Sequence, residues 1–94
     1  MEFQLREYTI VEGRLDDFIA EWRELVLPLR LGLGFSVLGP WVERKTSRFI
    51  WIIGYDGSLE AGNELYYGSP ERAAMDPDPA RLIDELREVV LEAP

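Results

Sequence analysis

The chain has 94 residues, 47% of them hydrophobic and 30% charged, with neither cysteine nor histidine; this excludes Ser-His-Asp and Cys-His nucleophile arrangements, Cys/His zinc sites, iron–sulfur clusters, histidine-ligated haem and disulfide scaffolds. Eighteen acidic against ten basic residues give a formal net charge of −8, which repels phosphate backbones unless the bases gather on one face, and no nucleic-acid partner is expected. A domain of this size buries only roughly 60 to 65% of the surface of its unfolded chain, so its own core is marginal and a second copy is expected to add to it.

Residues 2 to 10, Glu-Phe-Gln-Leu-Arg-Glu-Tyr-Thr-Ile, alternate polar and apolar side chains and predict a strand. From Leu15, apolar residues fall at 15, 18, 19, 22, 25, 26 and 29, the spacing of one helical face, with Asp16, Asp17, Glu21 and Glu24 outside it. Pro28 lacks the amide proton an interior turn needs, so the helix is expected to kink or end between Val26 and Leu31, with Gly32 and Gly34 as the stop. Phe35 to Glu43 and Phe49 to Asp56 read as two strands joined by the polar segment Arg44-Lys45-Thr46-Ser47-Arg48, a hairpin loop. The stretch Phe49-Ile50-Trp51-Ile52-Ile53-Gly54-Tyr55 is apolar on both alternating faces, as in a strand covered from two sides.

A broken helical region follows from 58 to 75, with Ser69-Pro70 as an N-cap and first-turn proline. Asp76-Pro77-Asp78-Pro79 forms a rigid break, since each residue before proline is pushed out of the helical region. Residues 80 to 93 carry both patterns: Leu82, Ile83, Leu86 and Val90 suit a helix and Arg87 to Leu91 a strand, and the reading taken here is a helical turn at 80–84 and a strand at about 86–92. The order is β-α-β-β-α-β, the split arrangement of an α+β, ferredoxin-like subunit with a four-stranded antiparallel sheet and helices on one face. Its other face is apolar as well, which predicts a homodimer packed sheet to sheet. No apolar run approaches the ~20 residues of a membrane span, and the first residues lack the pattern of a signal peptide, so a cytoplasmic protein is expected.

Tyr8, Gly13, Leu15, Phe18 and Trp22, then Pro28-Leu29-Arg30, Gly34-Phe35, Gly39 and Trp41, then Trp51 and Tyr55 together resemble the NIPSNAP family. The resemblance runs from about residue 3 to about residue 84, and Ser69-Pro70-Glu71-Arg72 with the following Asp-Pro repeat belongs to it. It implies one NIPSNAP-like domain across residues 1–94 that pairs as a dimeric α+β barrel. Relatives of that superfamily include cofactor-independent monooxygenases and haem-using enzymes. The absence of histidine departs from the haem-using members, so no cofactor is expected, and the family supplies no agreed catalytic set to carry over.

The aromatic residues Tyr8, Trp22, Trp41, Trp51 and Tyr55 lie on one helix and three strands, where several can converge between the helices and the sheet. They read either as core or as the walls of a pocket for a small apolar or aromatic ligand, and a ligand site calls for a cavity of about 300 Å³ or more. Arg6 and Arg30 are the charged residues singled out, because arginine holds an anion or enolate without changing protonation; Arg30 equally complements the end of the first helix. Tyr66 and Tyr67 offer a hydroxyl, with one of the two expected to point inward. Lys45 lies in an exposed turn, and Gly32-Leu33-Gly34 follows a helix rather than a strand, so neither a Schiff base nor a phosphate loop is read there. No carboxylate spacing matches a metal loop, so no metal is expected.

Overall fold

The computed structural model describes Met1–Pro94. Strand β1 (Glu2–Ile10) turns Gln4, Arg6, Tyr8 and Ile10 to a buried face and leaves Phe3, Leu5, Glu7 and Thr9 half-buried on the other. A long rod follows, made of α1 (Leu15–Glu21), a π-helical segment (Trp22–Val26) and α2 (Leu27–Gly32). As expected of a helix that kinks or ends between Val26 and Leu31 with Gly32 as its stop, the rod becomes irregular before the proline and ends at Gly32. The irregularity is the π segment: the Leu27 amide donates to the Trp22 carbonyl five residues back, and this widened turn accommodates a residue with no N–H and a ring that clashes in a regular α-helix. Gly34, at φ +93°, turns the chain into the sheet.

Strands β2 (Ser36–Glu43) and β3 (Arg48–Tyr55) form the expected hairpin. Its loop is tied by the Glu43 carboxylate, which accepts the Thr46 hydroxyl and the backbone amides of Thr46 and Lys45. These bonds, the Thr46 side chain first, hold the Glu43 carboxyl below its ordinary pKa. Between the pairs Leu38↔Ile52 and Trp41↔Ile50, β2 carries one residue more than β3. Gly39, at φ +97°, takes up the extra residue, and the bulge turns Trp41 to the sheet face away from the helices.

Ser58 caps α3 (Leu59–Tyr67), its Oγ accepting from Ala61 N–H, and Ser69 caps α4 (Pro70–Ala73) in the same way through Arg72 N–H. A 3-10 turn (Pro79–Leu82) leads into β4 (Ile83–Leu91), which begins three residues ahead of the sequence expectation. It starts early because Ile10 of β1 pairs with Ile83 and the Val11 amide donates to the Leu82 carbonyl at 2.9 Å. The sheet order is β2-β3-β1-β4, antiparallel throughout. The fold is thus the ferredoxin-like one, with β1 and β3 central and the helices on one face.

Between helices and sheet lies an aromatic core. Phe18 meets Phe49 at 5.0 Å between ring centroids and Trp22 meets Trp51 at 5.3 Å, both edge to face, a geometry worth about 0.5–1.5 kcal/mol per pair beyond the area buried. The opposite sheet face carries Phe3, Leu5, Leu38, Trp41, Ile50 and Ile52 with no helix over them; Leu38 and Trp41 are each about half exposed. No helix is long and apolar enough to cross a membrane.

Candidate functional site

A cavity of about 130 Å³ lies between the helical rod and the β1–β4 side of the sheet. Arg6 and Tyr8 come from β1, Phe18 from α1, Trp22 and Val26 from the π segment and Arg30 from α2. Tyr66 and Tyr67 of α3 and Arg72 of α4 close one side, and Pro79, Ala80, Ile83 and Leu86 form the mouth at the sheet edge. The helix–sheet layer is therefore not filled, but the space falls short of the roughly 300 Å³ expected from the sequence for a ligand site.

Of the sequence candidates, Tyr8, Trp22, Arg30 and Tyr66 line this cavity. Trp51 is buried beneath it, touching Trp22, but does not line it. Tyr55 lies farther along β3, its ring against Gly62 of α3, where an added Cβ would come within 2.8 Å, so this glycine is what lets the helix settle on the sheet. Trp41 is across the sheet, carried there by the Gly39 bulge.

Arg6 and Arg30 are the buried cations of the site, at 3% and 1% exposure. Arg6 is bonded on every side. Its Nε donates to the Tyr8 hydroxyl at 2.8 Å, Nη1 to Gln4 Oε1 at 2.9 Å and Nη2 to the Tyr67 hydroxyl at 2.8 Å, and Nη1 also pairs with Glu88 Oε1 at 3.2 Å. Burial pulls its pKa down, but the Tyr8 and Tyr67 oxygens and Glu88 outweigh this and hold it above the ordinary value. Because both hydroxyl oxygens accept from Arg6, the O–H proton of each remains free to donate elsewhere.

Arg30 lies in the last turn of the rod, as the sequence placed it, and it also reaches beyond its own helix. Its guanidinium leaves the rod for α3, where Nη1 donates to Asn63 Oδ1 at 2.6 Å, and its Cζ lies 3.7 Å from the Tyr66 ring centroid and 4.6 Å from that of Phe35. Its Nε has no acceptor, and no carboxylate forms an ion pair with it. Burial, with Arg6 nearby, pulls its pKa below the ordinary value, though a guanidinium remains charged in proteins. The Trp22 indole N–H is likewise buried without an acceptor. Burial raises the pKa of Tyr8 and of Tyr66, so both hydroxyls stay protonated at neutral pH. Trp51 Nε1 lies close enough to the Tyr8 oxygen to oppose that rise without meeting hydrogen-bond geometry.

Both tyrosines of the Tyr66-Tyr67 pair reach this region, whereas helix geometry led to the expectation of one. Tyr66 is buried and its ring carries Arg30; Tyr67, half exposed at the end of α3, bends its hydroxyl back to Arg6. Of the residues the sequence reading missed, Phe18, Val26 and the mouth residues are apolar, and Arg72 lies in the short helix α4. Only the shared helical face of Phe18, Trp22 and Val26 gave a signal for them.

No protein-family model matches the chain, and no curated protein does. Solved structures do match. An uncharacterised NIPSNAP domain protein from Burkholderia xenovorans superposes with a TM-score of 0.87 at 18% identity, over 100% of this chain and 95% of that one. A NIPSNAP family protein from Agrobacterium tumefaciens gives 0.85 at 21% identity, over 99% and 85%, and an antibiotic biosynthesis monooxygenase 0.75 at 17%, over 99% and 98%. At this identity the likeness is one of fold: the chain has the architecture common to NIPSNAP proteins and these monooxygenases.

Proposed function

We propose that the chain binds a small apolar or aromatic metabolite in the cavity between helices and sheet, and that it does so as a homodimer paired through the free faces of its sheets. The observation that carries the reading is the pair of buried arginines set among aromatic walls, one of them without an ion-pair partner. A core that served packing alone would lose little with an apolar side chain at position 30, because the desolvation of an unpaired charge offsets what the charge gains. Pairing through the sheet is supported by the uncovered apolar face that includes the half-exposed Leu38 and Trp41, since such a face marks an interaction surface.

The chemistry such a site favours is the holding of an oxyanion by guanidinium and phenol donors in a cofactor-independent oxidation or isomerisation, as the fold shared with a monooxygenase suggests by analogy. The lining includes no carboxylate, histidine, cysteine or lysine, so no side chain there is a ready base at neutral pH. Binding is therefore the function the geometry supports best, ahead of proton abstraction. Native mass spectrometry of the purified protein tests both parts at once. The expected spectrum is a dimer with a discrete retained mass or one that takes up a single-ring aromatic on addition; a dimer that takes up none favours a non-catalytic interaction module, and a monomer removes the pairing.

A further inference from the structure

The charges around the cavity do not cancel, and the imbalance identifies a ligand class. We propose that the cavity takes a small aromatic monocarboxylate whose carboxylate is the counter-ion of Arg30. The inference rests on reading the cavity as a ligand site and narrows that reading to one charge and one shape.

Three guanidiniums face the cavity, and two are neutralised within the chain: Arg6 by Glu88 at 3.2 Å and Arg72 by Asp78 at 3.1 Å. Arg30, the most deeply buried of the three, has none. Its charge cannot be shed by deprotonation. One uncompensated positive charge calls for one negative charge; a dianion would bring a second that meets no free cation. Arg30 binds Asn63 through Nη1, and its Nε carries no hydrogen bond, so the guanidinium has donors in reserve of the kind that hold a planar carboxylate. The indole N–H of Trp22, also without an acceptor, is a further donor in the same lining.

Shape follows from the walls. Phe18, Trp22 and Tyr66 belong to the lining, an aromatic surround that suits a flat apolar body. The volume of about 130 Å³ is close to the engineered apolar cavity of about 150 Å³ that holds benzene, so a single ring is the size that fits, with the mouth at Ala80 and Leu86 beside it.

The test titrates benzoate, its neutral isostere benzamide and the dianion phthalate into the wild-type dimer at constant ionic strength, reading tryptophan fluorescence from Trp22 and Trp51 and thermal shift. Benzoate is expected to bind at least ~10-fold more tightly than benzamide, the size of one charge-assisted hydrogen bond, and more tightly than phthalate. In Arg30→Met the preference for benzoate over benzamide is expected to vanish. Equal binding of benzoate and benzamide by the wild type would leave the aromatic pocket standing and overturn the counter-ion assignment. Tighter binding of phthalate would overturn the monoanion. If neither benzoate nor benzamide binds, the ligand-site reading falls and this inference with it. Because benzoate and benzamide are compared on the wild type, the result stands even where Arg30→Met does not fold.

Discussion

Replacing each buried arginine by methionine, a flexible apolar side chain of similar length, separates the two roles assigned to them. Arg6→Met removes hydrogen bonds to Tyr8, Gln4 and Tyr67 and strands the Gln4 amide and the Tyr8 hydroxyl, both less than a tenth exposed. Each stranded buried group costs about 1–3 kcal/mol, while release of the desolvated charge returns part of that, for a net loss of about 2–4 kcal/mol. Arg30→Met loses one hydrogen bond, to the half-buried Asn63, and its place over the Tyr66 ring. These are worth about 1.5–3 and 0.5–2 kcal/mol, and the desolvation of an unpaired charge, several kcal/mol, offsets them. The expected change is within about 1 kcal/mol of zero, although Arg30 is the more buried of the two. Urea unfolding followed by tryptophan fluorescence at one fixed protein concentration gives both values, provided the m-value is unchanged. In a domain of this size about 1 kcal/mol moves Tm by roughly 4–8 °C, so Arg6→Met should melt some 10–30 °C lower and Arg30→Met near the wild type. A loss at Arg30 equal to or greater than that at Arg6 would refute the reasoning, since Arg30 would then be a structural member rather than a charge awaiting a partner.

Two further expectations follow from the same geometry. Trp41→Lys, on the free sheet face, should convert the proposed dimer to a monomer in size-exclusion chromatography with light scattering; a dimer that persists would place the interface elsewhere. Burial raises the pKa of Tyr8 and Tyr66 above the value of about 10 that tyrosine has in an unfolded chain. Above that pH the unfolded state binds fewer protons than the folded one, so the stability they contribute is intact below about pH 10 and is lost as pH rises toward the folded values. Tyr66→Phe should flatten that alkaline loss, which denaturation at a series of pH values would record; an unchanged slope would exclude Tyr66 as a source.

The strands, the broken second helix and the order of elements were legible because period-two alternation, capping serines and prolines act locally. The stop at Gly32 was legible too, whereas the form of the irregular turn before Pro28 leaves no sequence signature. Trp41 was misplaced among the inward aromatics for a similar reason: alternation carried past Gly39 gives the wrong face once one residue is inserted. At the cavity, Tyr8 and Trp22 stood out as aromatics able to converge between helices and sheet, Tyr66 as a hydroxyl on the second helix, and Arg6 as an arginine able to hold an anion. That the Arg30 guanidinium, in the last turn of its helix, reaches across to α3 is decided by packing between residues 33 apart in sequence, which no local pattern encodes.

The π segment also sets an angular phase. In a regular α-helix each residue advances by ~100°, so the wider turn at Trp22–Val26 retards everything after it. Arg30 comes to point into the same space as Trp22 and Val26 because the wide turn absorbs one residue of winding. The rod can therefore tolerate exchanges on its outer surface, at Arg23 and Glu24 for example, while regular α winding through the same residues would advance Arg30 by about 100° and swing the guanidinium out of the cavity by about a quarter turn. Winding, in this segment, is as much a part of the site as chemistry.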